Sequence, residues 1–448
     1  MTKRIVIVGG DGAGMSAASQ AKRHDPSLEV VAFEKGPVVS YSACSIPYYV
    51  GQVVNTIERL IVRTPAAFRD MGIEVQTGHE VQRIDRANQR IQVVAGSTPR
   101  WEPYDELVLA TGASPIVPPW PNIDAVGTFV VKTLEDGRHI RHYIETRHPR
   151  TAVVVGGGYI GLEMAENLRN WGIQTVLIEQ QAQLMPSFLD PDMASLVRES
   201  LTALDVTVSL NDEVRGLHTA QGRVRAVETH HHEWPADLVI LGLGVRPEST
   251  LAREAGIPLG VKDAVRVDPS LRTTVPHVWA VGDVAETQHL VTGKPTYVAL
   301  ATVANKQGRI AGLNLSGASL TFPGVLGTAI TRVGTTEIAR TGLTPAGAEA
   351  AGITARETRV ETETKLGYFP DVSKITVKLV AAVGTGRLLG AQIIGGPGSG
   401  KRIDTIATAI TARMSVTDLI DLDLAYAPPF SDVWDSVQVA ARTLVSKI

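Results

Sequence analysis

Thr151-Ala-Val-Val-Val-Gly156-Gly-Gly158-Tyr159-Ile160-Gly161-Leu-Glu-Met-Ala-Glu-Asn-Leu168 reads as an apolar strand, a glycine turn and a helix. Gly156, Gly158 and Gly161 keep the spacing G-x-G-x-x-G. The first glycine makes a tight turn, the second lets backbone approach a pyrophosphate, and the third lets helix and strand pack closely. The helix N-terminus then faces the phosphates. A second strand, from Gln174 to Ile178, ends in Glu179. An acid at that distance takes both ribose hydroxyls and repels a 2′-phosphate. The stretch is a dinucleotide-binding βαβ unit, and Glu179 predicts NADH over NADPH. Gly244, at the Gly-rich exit of the buried strand from Leu238, is read as part of the same site.

The theme occurs once more, nearer the N-terminus. Arg4-Ile-Val-Ile-Val-Gly9 leads into Gly10, Gly12, Ala13 and Gly14, and a second strand ends in Glu34, followed by Lys35. Here Asp11 stands at the middle glycine position. Two such units predict an α/β chain with two Rossmann-like domains. Further strand ends fit a flavin site in the first unit: Thr111-Gly112 after Leu107-Val-Leu-Ala, and Gly282-Asp283 after Val278-Trp-Ala-Val. Ala299 opens a helix-like run through Asn305 and Arg309.

Cys44 is the only cysteine in 448 residues. A single sulfur forms no internal disulfide, so any redox role needs an external thiol or a sulfenic acid. A net charge of −3 gives no reason to propose nucleic acid or membrane as partner. No uncharged apolar run is long enough to span a bilayer. Met1-Thr-Lys-Arg runs straight into a strand, which leaves no room for a secretory leader, so the cytoplasm is expected. No metal site is expected.

With these motifs in this order, the chain resembles the pyridine nucleotide-disulfide oxidoreductases over essentially its whole length. The resemblance implies an FAD domain in two segments (1–115 and 249–322), an inserted NAD domain (116–248) and an α+β dimerisation domain (323–448). Only by this family resemblance does the run from Ala299 point at FAD. In the dimerisation domain, Lys374-Ile-Thr-Val-Lys-Leu379 alternates like a half-buried strand, and helices are expected at 402–413 and 431–446. Two-cysteine members carry Cys-x-x-x-x-Cys, whereas Tyr49 occupies the second position here. No His stands in the C-terminal motif Leu424-Ala-Tyr426-Ala-Pro-Pro either. The chain therefore resembles the single-cysteine branch of coenzyme A disulfide reductases, NADH oxidases and NADH peroxidases.

Within that branch the oxidases place a His where this chain has Gly12. Tyr368 and Tyr426 match the two tyrosines that coenzyme A disulfide reductases receive from the partner subunit. The resemblance implies a homodimer in which Cys44, Tyr368 and Tyr426 are catalytic and Tyr159 gates the nicotinamide. It places substrate contacts at Ser16, Gln20, Arg23, Ser40 and Asn305. Ala43 and Ser45, beside the cysteine, depart from the coenzyme A pattern. The expected reaction carries electrons from NADH through FAD to Cys44, which reduces a small disulfide or persulfide. Alternatives are an NADH oxidase acting through a Cys44 sulfenic acid, and a flavin electron carrier or redox sensor. Cys44 is further expected at a helix start, where the positive end would lower its thiol pKa.

Overall fold

The computed structural model describes residues 2–448. Arg4–Val8 is flanked on one side by Glu29–Glu34 and Ile73–Thr77, and on the other by Glu106–Leu109 and Val278–Ala280. All of these pairs are parallel, with Val8 opposite both Phe33 and Leu109. Ile5, Val6 and Ile7 are fully buried, which is why the strand is continuously apolar: helices and a meander cover both faces. The second unit repeats the design. Its order is Val206–Leu210, Gln174–Glu179, Thr151–Val155, Leu238–Leu241, Thr128–Val130, again all parallel.

Each unit carries a three-stranded antiparallel meander, at residues 80–103 and 214–235. The chain passes between the units through Ala113–Pro115 and Val245–Pro247, which pair antiparallel. The first helix, Gly12–His24, packs along Ala301–Leu315. The approach is close enough that a Cβ on Gly308 would run into the Ala13 carbonyl oxygen.

The C-terminal part is an antiparallel sheet ordered Ala329–Val333, Thr336–Gly342, Leu388–Gly395, Lys374–Ala382, Ala355–Glu363. Helices Ile403–Thr411 and Ser436–Val445 cover one face. Two expectations are corrected here. The helix expected at 431–446 begins only at Ser436, where the Asp435 carboxylate accepts from the Val437 N–H and caps it. The strand read as half-buried is buried on both faces: Thr376 and Lys378 are each only 3% exposed. The second unit lies over its polar face, and acids from that unit pair with Lys378.

Candidate active site

The two glycine turns are built alike. In the second, a Cβ on Gly161 would strike the Gly156 carbonyl oxygen; in the first, a Cβ on Gly14 would strike that of Gly9. Neither position accepts a side chain without opening the turn. The acid at the end of each second strand is bound into its turn. Glu179 accepts from the N–H groups of Gly157 (2.9 Å) and Gln181 (2.9 Å). Glu34 accepts from Gly10 (2.8 Å) and Gly36 (2.7 Å). Each carboxylate keeps acceptor capacity for ribose hydroxyls, now in a fixed orientation.

The first unit fits a flavin dinucleotide on its own geometry. Gly282, at positive φ, donates its N–H to Gln307 at 2.8 Å. The Gln307 Nε2 and Tyr297 hydroxyl are buried without partners. Asp283 lies 3.7 Å from Lys132, and burial raises its carboxyl pKa. Thr111 donates to the Glu248 carbonyl, whose N–H returns to Gly112. Lys35 is exposed beyond Glu34. Ala299 lies just before Leu300, which caps the helix Ala301–Leu315.

Cys44 sits in a single 3₁₀ turn, Ala43–Ser45, ahead of the short helix Ile46–Val50. Its segment is pinned at both ends. Ser40, at φ 50°, donates to the Gly10 carbonyl, and the Tyr41 N–H donates to the Asp11 carboxylate at 3.1 Å. Beyond the helix, Arg141 binds the carbonyls of Tyr49, Val54 and Asn55, and Trp171 binds that of Val50. The sulfur is thus held between the first glycine turn and the second unit. The thiol expectation is corrected. Cys44 is exposed, but protein on most sides of it makes desolvation the leading cause that raises its pKa. Glu163 and Asp283 add to the rise, and Lys132 opposes it.

Glu163, one turn into the helix Tyr159–Arg169, was not singled out from sequence. Its carboxylate accepts from the Thr331 hydroxyl at 2.8 Å, and burial raises its pKa. Lys132 and Asp11 were also missed as neighbours of the cysteine. Asp11 and Glu163 stood within quoted motifs, but nothing local marks Lys132.

Tyr159 and Ile160 open the helix after the second glycine turn. The Tyr159 ring packs 4.7 Å from that of Phe188, and burial pushes its hydroxyl up to about 12. Gly244, at φ 89°, accepts from Ile116 where the chain crosses between units. Ser16 and Asn305 meet at 2.8 Å, and Gln20 and Arg23 continue the same helix face. Gly12 faces Asn305. Ser40 lies at the far side of the turn. Tyr368 and Tyr426 are 73% and 45% exposed, so within one chain they are surface groups. Arg402 joins their loops, donating to the carbonyls of Thr364 (3.1 Å) and Phe430 (2.9 Å).

Two parallel nucleotide units, a sulfur between them and an antiparallel C-terminal sheet define a flavin-dependent pyridine nucleotide oxidoreductase. Residues 3–308 match the family model "Pyridine nucleotide-disulphide oxidoreductase", and residues 328–437 match that family's dimerisation domain. The chain belongs to this family. It is 35% identical to an NADH oxidase of Methanocaldococcus jannaschii, over 99% of each chain. It is 37% identical to the NAD(P)H coenzyme A polysulfide/persulfide reductase of Pyrococcus horikoshii, again over 99% of each. The crystal structure of reduced Bacillus anthracis CoADR-RHD superposes with a TM-score of 0.96 at 35% identity, covering 100% of this chain and 80% of that one. The protein is therefore an NAD(P)H-dependent FAD oxidoreductase of the group holding coenzyme A disulfide reductases, persulfide reductases and NADH oxidases. Among the described residues, no helix is long and apolar enough to cross a membrane.

Proposed function

We propose that the protein uses NADH to reduce a low-molecular-weight disulfide or persulfide through Cys44, within a homodimer. The observation that carries this is the placement of one exposed sulfur between the two nucleotide units, in a chain with no second cysteine. FAD, when bound, relays the electron pair between nicotinamide and sulfur.

The Cys44 thiolate attacks R–S–S–R′, forming Cys44–S–S–R and releasing R′–S⁻, which takes a proton. The electron pair from NADH then breaks that mixed disulfide, giving R–S⁻ and the Cys44 thiolate. The balance is NADH + H⁺ + RSSR′ giving NAD⁺, RSH and R′SH. Glu163 holds a proton more readily than an ordinary carboxyl because it is buried, which suits it to exchanging one beside the sulfur. Lys132 steadies negative charge there. Tyr368 and Tyr426 reach the partner's sulfur and donate to the leaving thiolate. Ser16, Gln20, Arg23, Ser40 and Asn305 hold the rest of the substrate. Glu179 favours NADH, because a 2′-phosphate would meet a fixed carboxylate and the neutral Gln180 and Gln181. Gly12 in place of His, and the paired tyrosines, set this reading above oxygen reduction.

Intact mass of the purified chain, before and after a thiol reductant, tests the proposal. The expected species carries a small thiol that reductant removes. A chain bearing only added oxygen would contradict it and support oxygen reduction through a sulfenic acid.

A further inference from the structure

A row of polar side chains crosses four strands of the dimerisation sheet. Arg340 pairs in register with Gln392, Gln392 with Lys378, and Lys378 with Arg359. Residues in register share a sheet face. This row meets the second unit at Asp190 and Asp192, where helix Pro191–Thr202 begins. The contact is buried and two-pointed. The Asp190 N–H donates to Gln392 Oε1 at 2.9 Å, and Gln392 Nε2 donates to Asp190 Oδ2 at 2.8 Å. Lys378 Nζ lies 2.9 Å from Asp190, 2.9 Å from Asp192 and 3.1 Å from Glu357, with its side chain 4% exposed. Burial alone would lower the Lys378 pKa; the three carboxylates reverse that and raise it.

The other end of the same segment touches the nucleotide turn. The Met185 N–H donates to the Gly157 carbonyl at 2.9 Å. Leu184 fills the space beside Gly157 that a side chain would need. Phe188 packs against Tyr159 with the two rings tilted at 55°. The buried Arg340 guanidinium lies close enough to Tyr159 and Asp190 for both to act on its pKa. Residues 184–190 thus connect the dimerisation sheet to the turn that would receive the nicotinamide nucleotide.

We propose that Gln392 and Lys378 are positioning residues for nicotinamide-nucleotide binding. Acting through Asp190, they set Leu184, Met185 and Phe188, and so the Gly156–Gly161 turn and Tyr159. Losing one partner of a buried, hydrogen-bonded pair leaves the other uncompensated, so this junction is satisfied only where Asp190 meets both Gln392 and Lys378. The inference rests on the reading that NADH occupies this turn.

The test uses the FAD-loaded protein and the variants Gln392→Leu and Asp190→Asn. Anaerobic stopped-flow bleaching of the flavin gives the NADH affinity and the limiting rate, and calorimetry gives the affinity for NAD⁺. Gln392→Leu should weaken both affinities about fivefold or more. The limiting rate and the reaction of pre-reduced enzyme with disulfide should change by less than about twofold. Asp190→Asn keeps the backbone donor and an acceptor oxygen for Gln392 but removes the charge that pairs with buried Lys378, so it should weaken both nucleotide affinities as well. Unchanged nucleotide affinities in Gln392→Leu with full FAD content overturn the proposal. So does a parallel loss of nucleotide and disulfide affinity, which marks general loosening. Wild-type protein whose flavin NADH does not bleach would instead overturn the functional reading itself.

Discussion

Asp11 is the sharpest test of how the first glycine turn supports the sulfur. Its carboxyl pKa is raised from 3.8 to about 6, chiefly by burial, with Glu34 adding to the rise and the Tyr41 N–H and Lys132 opposing it. A carboxyl that holds its proton more tightly when folded makes stability fall as pH rises between about 4 and 6. At neutral pH the ionised form costs about 3 kcal/mol, and partial exposure brings the working figure to about 2 kcal/mol. Asp11→Asn removes the charge while its side-chain oxygen still accepts from Tyr41. The FAD-loaded variant should therefore melt roughly 2 °C above wild type at pH 7. The gap should close as pH falls towards 4. Asp11→Ala loses the tie to Tyr41 as well, and should slow disulfide turnover more than NADH-to-dye transfer. An Asp11→Asn protein that melts at or below wild type at pH 7, or a gap that ignores pH, would mean that the Asp11 charge costs the fold nothing.

Gly161→Ala drives a Cβ into the Gly156 carbonyl oxygen. Flavin bleaching by NADH should fall by at least about tenfold in affinity, while FAD content and dithionite reduction stay normal. Glu163→Gln removes the charge that most strongly opposes the Cys44 thiolate. The thiol pKa then falls, so iodoacetamide should alkylate Cys44 several-fold faster at neutral pH, with the rate profile displaced to lower pH. Glu179→Ala frees the Gly157 and Gln181 N–H groups and should shrink the NADH over NADPH preference in kcat/KM, chiefly by weakening NADH.

The glycine turns and their terminal acids were legible because each is local. A strand, a turn and a helix start lie within about 30 residues, and steric need fixes the residue types. The surroundings of Cys44 were not. Asp11, Lys132, Glu163 and Asp283 come from four separate stretches that only the tertiary fold brings together. The thiol departs from expectation for that reason: a nearby helix start shows in sequence, whereas the burial that desolvates the sulfur and the distant carboxylates that add to it do not. Lys378 shows the same limit. Its alternating strand signals one wet face, but two of the three acids that pair with it, Asp190 and Asp192, lie at least 186 positions away along the chain. Tyr368 and Tyr426 were found only through resemblance, since nothing in composition marks an exposed tyrosine as one that serves a partner.

If electrons leave this protein through Cys44, removing its sulfur should separate two activities. Cys44→Ser, loaded with FAD, should still reduce a dye with NADH at close to the wild-type rate. Its NADH-dependent reduction of coenzyme A disulfide, followed as released thiol, should fall to background. Disulfide turnover that survives the substitution would contradict the account.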